Sequence, residues 1–242
     1  LWKLFEQFQA YGFNKAHAAS YGMLAYRTAF MKANFPVEFM TALLTHESGD
    51  IDKISQAVNE CRRMKIKVLP PDINESDVGF KIVGEKQSLE GKAIRFGLSA
   101  IKNVGVAAIE AILQSRETGP FTSFSDLISR VDTRRVNKKV LESLIKVGAL
   151  SSFGGRSALL SSIDSIRSKL AKPKALSGQQ GLFGHSEETK TSRASDTFIS
   201  SEIPEFTPEE LQILERQLLG FSLSAKPFSE LIGPLEHLAS HK

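Results

Sequence analysis

A chain of 242 residues with 41% apolar and 24% charged side chains has the composition of an ordinary soluble globular protein of one or two domains. Its net charge of +4 permits a polyanionic partner without requiring one. No apolar run can span a bilayer, because Met23–Met40 is broken by Arg27, Lys32, Asn34 and Pro36, and no signal peptide is visible. The single cysteine, Cys61, excludes an internal disulfide and fits a reducing cytoplasm. The five histidines share no ligand spacing with Cys or acidic residues, so no zinc site is expected.

The chain begins at Leu1-Trp2-Lys3 without an initiator methionine and already in a helical pattern, which predicts a piece of a longer polypeptide. Leu1–Ala10 reads as a short amphipathic helix. A turn at Tyr11-Gly12 leads to Asn14, a favoured helix cap, and to a long helix over Lys15–Asn34. Lys15 and His17 lie in its first turn, and His17, Tyr21 and Leu24 share one face. Free N–H groups and the positive dipole end suit a phosphate there, as on a nucleotide. The competing reading is a buried Ala-rich helix with satisfied polar residues, and spacing alone does not separate the two.

Pro36 opens a helix over Val37–His46, and Asp50 caps another over Ile51–Met64 whose basic end suits the dipole. Cys61 stands at helical spacing with Ile54 and Val58, as a core residue would. Leu69-Pro70-Pro71-Asp72 stops the helical pattern. Phe80–Val83 and Ala93–Phe96 then alternate at period two and predict a small β-hairpin. Asp50, Asp52, Asp72, Glu75 and Asp77 sit at a helix start or in a Pro-rich turn and read as structural. No P-loop, His-based nucleophile or paired strand aspartates for the two Mg²⁺ ions of phosphoryl transfer are found.

Helices resume from Leu98 to Leu170. Ile101–Ile109 has the layout of a helix-hairpin-helix: a short helix, a tight turn through Lys102, Asn103, Val104 and Gly105, and a second helix. Gly105 would let a ligand approach closely, and free N–H groups at Val106–Ala108 would hold one DNA backbone phosphate without reading sequence. A second helical pair gathers Arg130, Arg134, Arg135, Lys138 and Lys139 around Asp132-Thr133. Together the two pairs predict salt-sensitive duplex binding.

From Ala171 to about Pro204 the composition turns Ser-, Lys- and Gly-rich and predicts a flexible linker. Within it, Gln179, Leu182 and Phe183 form an isolated apolar island suited to a partner's pocket. The island resembles the peptide by which bacterial replication proteins dock on the sliding clamp. Thr207-Pro208-Glu209-Glu210 is a capping box that starts a last helix ending near Gly220.

Several of these stretches occur in the order and spacing of one family. Tyr11–Ala19, Ala25–Ala29, Pro36–Met40, Glu60–Met64, Leu69–Asn74, Ile94–Leu98, Lys102–Gly105 and Arg135–Leu141 resemble the alpha subunits of bacterial DNA polymerase III, the C-family replicative polymerases. The similarity is continuous over roughly residues 1–156; beyond it, the clamp-like peptide and Leu219–Ser224 carry it. The resemblance implies a mainly α protein. Residues 1–70 would be the C-terminal part of the polymerase fingers. Residues 71–156 would be a β-hairpin plus tandem helix-hairpin-helix DNA-binding region, 157–206 a helix and flexible linker with the clamp peptide, and 207–242 a helical lead-in to an OB domain.

It further implies that His17 lies against the sugar of an incoming dNTP, with Tyr11, Asn14, Lys15 and Tyr21 around it. Double-stranded primer-template DNA, the sliding clamp (the beta subunit) and other holoenzyme subunits would be partners. Mg²⁺ would be the cofactor, with its ligands and the catalytic aspartates outside this chain, so the chain alone is expected to extend no primer. Two departures stand out: Ala16 replaces the usual Ser before the histidine, and Ser224-Ala225-Lys226-Pro227 replaces Ser-Gly-His-Pro. The clamp peptide favours the main replicative enzyme over its mutagenic paralogue. The rival reading is a free-standing helix-hairpin-helix DNA-binding or scaffold protein without polymerase activity.

Overall fold

The computed structural model describes residues 14–171 and 203–223. The expected helix Leu1–Ala10, Tyr11, the tract bearing Gln179, Leu182 and Phe183, and Ser224–Pro227 lie outside the described residues. Among the described residues the fold is mainly α, with a small three-stranded sheet, as expected.

Helix α1 (Lys15–Asn34) starts at Asn14, whose Oδ1 accepts the His17 N–H at 3.1 Å. Phe35 and Pro36 turn the chain into α2 (Pro36–His46). Asp50 caps α3 (Ile51–Arg63) by accepting the N–H groups of Asp52 and Lys53. The chain then forms β1 (Val68–Leu69), β2 (Lys81–Gly84) and β3 (Lys92–Arg95), in the order β1-β3-β2. β2 and β3 are the expected antiparallel hairpin, with Ile82 opposite Ile94. The parallel partner β1 was not expected; two residues before Pro70-Pro71 are too few to show an alternating pattern.

Four helices follow, α4 (Val106–Arg116), α5 (Phe124–Arg130), α6 (Lys138–Lys146) and α7 (Arg156–Ala171), and then α8 (Pro208–Leu219). The capping box at Thr207 and Glu210 is present with both of its hydrogen bonds. One apolar core runs from Val37, Met40 and Leu44 on α2, through Ile94 and Phe96, to Ile109, Leu144, Leu159 and Leu219. α7 packs across α5 and α6, and α8 lies against α6. The acidic residues of the Pro-rich turn are structural, as expected. Asp72 caps the turn through the N–H groups of Asn74 and Glu75, Glu75 pairs with Arg95, and Asp77 pairs with Arg116 and Lys81.

α1 contributes no buried residue to this core. Tyr21, Leu24 and Tyr26 are more than half exposed, so within the described residues the helix is not the buried Ala-rich element of the competing reading. Near its end Lys32 reaches across to α3 and pairs with Glu60 at 2.7 Å, and Arg63 donates two further bonds to the same carboxylate. Arg63 and then Lys32 hold the Glu60 carboxyl down to about 2. A carboxyl depressed in the folded state adds stability above its unfolded value of about 4.3, and that stability is lost as pH falls through the folded value. An NMR titration should therefore place the Glu60 midpoint near pH 2, moving upward in Lys32→Ala. A wild-type midpoint near pH 4, about that of a free carboxyl, would contradict the pair.

Cys61 is fully buried, and burial pushes its thiol up to about 12, so it is a neutral core residue as expected.

Candidate nucleic-acid interface

The first hairpin differs from its expected form in one arm. Leu98–Ala100 is a single 3₁₀ turn, not an α-helix. Its backbone is bound elsewhere: the N–H groups of Leu98 and Ser99 donate to the carbonyls of Asp77 and Val78, and Leu98, Ala100 and Ile101 are buried. The chain then turns through Asn103 in the left-handed region (φ 70°), a conformation Asn tolerates better than most residues. Val104 is buried and anchors the turn, so only its backbone is available to a ligand. Lys102, Asn103, Gly105, Val106 and Ala107 are exposed.

Gly105 is the N-cap of α4, with φ −80° and ψ 160°, a backbone any residue can adopt. A Cβ built on it meets nothing within 4 Å. Among the described residues neither conformation nor packing requires glycine here. The N–H groups of Ala108 and Ile109 donate to the Gly105 carbonyl. The free donors of this helix start are therefore those of Val106 and Ala107, and the expectation that Ala108 joins them is corrected.

In the second hairpin, Val131 and Val136 are buried and pin the loop between α5 and α6. Asn137 caps α6 by accepting the Val140 N–H at 3.1 Å. Arg134, Arg135, Lys138 and Lys139 are exposed around the loop. Arg130 is not part of that cluster. Its guanidinium donates to the carbonyls of Ser115, Gly119 and Pro120, pairs with Asp126 at 3.0 Å, and lies 4.6 Å from the Phe121 ring centre. It ties the end of α4 and the α4–α5 connection to α5.

Two of the four exposed cations are also engaged. Lys138 pairs with Asp164 of α7 at 2.7 Å, and Arg135 pairs with Asp132 at 3.6 Å. Among the described residues Arg134 and Lys139 have no acidic partner. The hairpins are joined directly: Asn103 Nδ2 donates to Ser143 Oγ of α6 at 3.4 Å. Lys139 lies one turn, about 6 Å, before Ser143 on the same side of α6. The first turn and the basic start of α6 thus lie side by side.

At the start of α1, Lys15, His17 and Tyr21 are exposed, and the His17 and Tyr21 rings are 4.4 Å apart at 52°. The face read from spacing is therefore present, while Asn14 Oδ1 is already occupied by the His17 N–H. Sequence reasoning placed Asn103 in the turn but not its left-handed backbone or its bond to α6, and it missed Asp164, for which no local signal exists. Among the described residues no group of three His, Cys, Asp or Glu is placed to hold a metal. No described helix is long and apolar enough to cross a membrane.

A helix-hairpin-helix motif model matches residues 65–159, which include both hairpins. The chain is 43% identical over 232 residues to the DNA polymerase III subunit alpha of Thermus aquaticus, covering 94% of this chain and 18% of that protein. It is 40% identical over 236 residues to that of Deinococcus radiodurans, covering 95% and 17%. With that of Campylobacter jejuni it shares 38% identity over 255 residues, covering 99% and 20%. Over nearly its whole length the chain is similar to a segment of DNA polymerase III alpha subunits, and it spans about one-fifth of the length of these relatives.

Proposed function

We propose that this chain contributes duplex binding and one wall of the incoming-nucleotide site to a DNA-directed DNA polymerase of the replicative type. The observation that carries the duplex half is Gly105, a glycine that nothing among the described residues requires, at a helix start with two N–H groups that bind none of them. A phosphate oxygen accepts from Val106 and Ala107, Lys102 stands beside it, and the second hairpin adds Arg134 and Lys139 next to the same turn. All these contacts are to backbone charge, so they fix position on DNA and carry no base information.

In the nucleotide half, Tyr11, Asn14, Lys15, His17 and Tyr21 face the incoming dNTP, with His17 against its sugar. The exposure of Lys15, His17 and Tyr21 and the contact between the His17 and Tyr21 rings support this. Gln179, Leu182 and Phe183 dock on the sliding clamp. Mg²⁺ and the catalytic carboxylates belong to other parts of such an enzyme, and no chemical step is assigned to residues of this chain.

Gly105→Ala tests the duplex reading. The added methyl has open space and an ordinary backbone, so the thermal unfolding temperature should stay within a few degrees of wild type. Loss of a charge-assisted hydrogen bond to phosphate should weaken binding to labelled duplexes about tenfold, equally for unrelated sequences. Unchanged affinity would sink the proposed phosphate site.

A further inference from the structure

The second hairpin holds one of its cations in an internal ion pair that does no other work. Lys138 opens α6, and its ammonium meets the Asp164 carboxylate of α7 at 2.7 Å. Asp164 is 73% exposed, and this is its only hydrogen bond among the described residues. The pair holds the Lys138 ammonium above its ordinary value. Asp132 is different, because its Oδ1 also accepts the Arg134 N–H and shapes the loop. On the same face of α7, Arg167 reaches the Val136 and Thr133 carbonyls at 3.4 Å, so this stretch of α7 is fixed against the loop.

We propose that Asp164 is an internal phosphate surrogate that occupies Lys138 in the free protein and weakens the hold of this hairpin on duplex DNA. The proposal rests on the duplex reading above. A carboxylate and a phosphate oxygen compete for the same ammonium, so an arriving backbone must either draw Lys138 away from Asp164 or share it while lying close to that negative charge. Lys139, one residue away without an acidic partner, makes the first contact; Lys138 gives its full charge to the phosphate only when Asp164 releases it. A loosened grip lets a duplex binder slide along DNA while keeping its hairpin geometry.

The test is a double-mutant cycle on the full chain, by fluorescence anisotropy with a labelled duplex at low salt. Asp164→Asn should tighten binding about two- to fivefold, the range measured for exposed ion pairs. In a Lys138→Ala background the same change should have little effect, because the competition is specific to that ammonium. Equal tightening in both backgrounds would reduce Asp164 to a general surface charge and overturn the proposal. So would unchanged or weaker binding of Asp164→Asn. Absence of duplex binding by the wild-type chain would instead overturn the interface itself, and the surrogate with it.

Discussion

Replacing Glu215 with alanine should cost about 3–5 kcal/mol of folding stability, the range for breaking one partner out of a buried ion pair. Glu215 is 2% exposed. Its Oε1 accepts from both terminal nitrogens of Arg156, at 3.2 and 3.1 Å, and its Oε2 accepts from Ser222 Oγ and the Leu223 N–H, each at 2.9 Å. Arg156 also donates to the Lys146 carbonyl at the end of α6, and Arg62 of α3 donates to the Ser222 carbonyl. One carboxylate thus fastens the start of α7, the end of α6 and the turn after α8, and through Ser222 it reaches α3. Truncation leaves the Arg156 guanidinium charged, only 15% exposed and short of acceptors. Urea unfolding should show a lower midpoint with an unchanged slope. Glu215→Gln, which keeps one acceptor oxygen but loses the charge, should fall between wild type and alanine. A loss under about 1 kcal/mol for the alanine variant would place the pair among those with the worth of a surface contact.

What the sequence makes legible in this fold is local. Asn14, Asp50 and the Thr207/Glu210 box announce helix starts because a cap acts on backbone within three residues of itself. The β2–β3 hairpin shows its own alternation, and Lys102, Gly105, Val106 and the Arg134–Lys139 cluster are marked by turn chemistry and charge. What escapes depends on residues far apart in the chain. The first arm of the leading hairpin stays a 3₁₀ turn: the Ile101 N–H closes back on the Leu98 carbonyl, and the Lys102 N–H that would close an α turn there donates to the Leu218 carbonyl instead. Arg130 looks like one more cation of a basic loop, yet its carbonyl partners lie in the last turn of α4 and in the α4–α5 connection. Lys138 and Asp164 are 26 positions apart, and Arg156 and Glu215 are 59 apart. No period or motif links such pairs; only the packing of α7 and α8 onto α6 does. The α1 helix is a middle case. Spacing correctly brought His17 and Tyr21 together, but whether that face looks into a core or outward is set by packing that spacing does not report; among the described residues it is exposed.

Gly97→Ala should do the opposite of Gly105→Ala, although the two glycines flank the same turn. At Gly97 the chain leaves β3 and crosses the approach to β2 at backbone contact: a Cβ would lie 2.5 Å from the Gly79 carbonyl carbon and 2.8 Å from the Phe80 nitrogen. These are main-chain atoms that no rotamer change can move aside. Beside them Phe80 packs edge-on against Phe96 at 4.7 Å, and Phe96 is fully buried. Relief therefore requires shifting strand backbone within the core, an overpacking cost of about 3 kcal/mol. For a folding unit of this size the melting temperature should drop by roughly 6–12 °C. Duplex affinity, measured well below that temperature, should fall less than in Gly105→Ala, because the outward N–H groups of Val106 and Ala107 are untouched. If Gly97→Ala left the melting temperature unchanged, the backbone crossing would not be tight. If it matched Gly105→Ala in lost affinity at full stability, the phosphate would sit nearer the sheet edge than the start of α4. The pair of variants thus separates a glycine kept for the chain's own backbone from one kept for a ligand's.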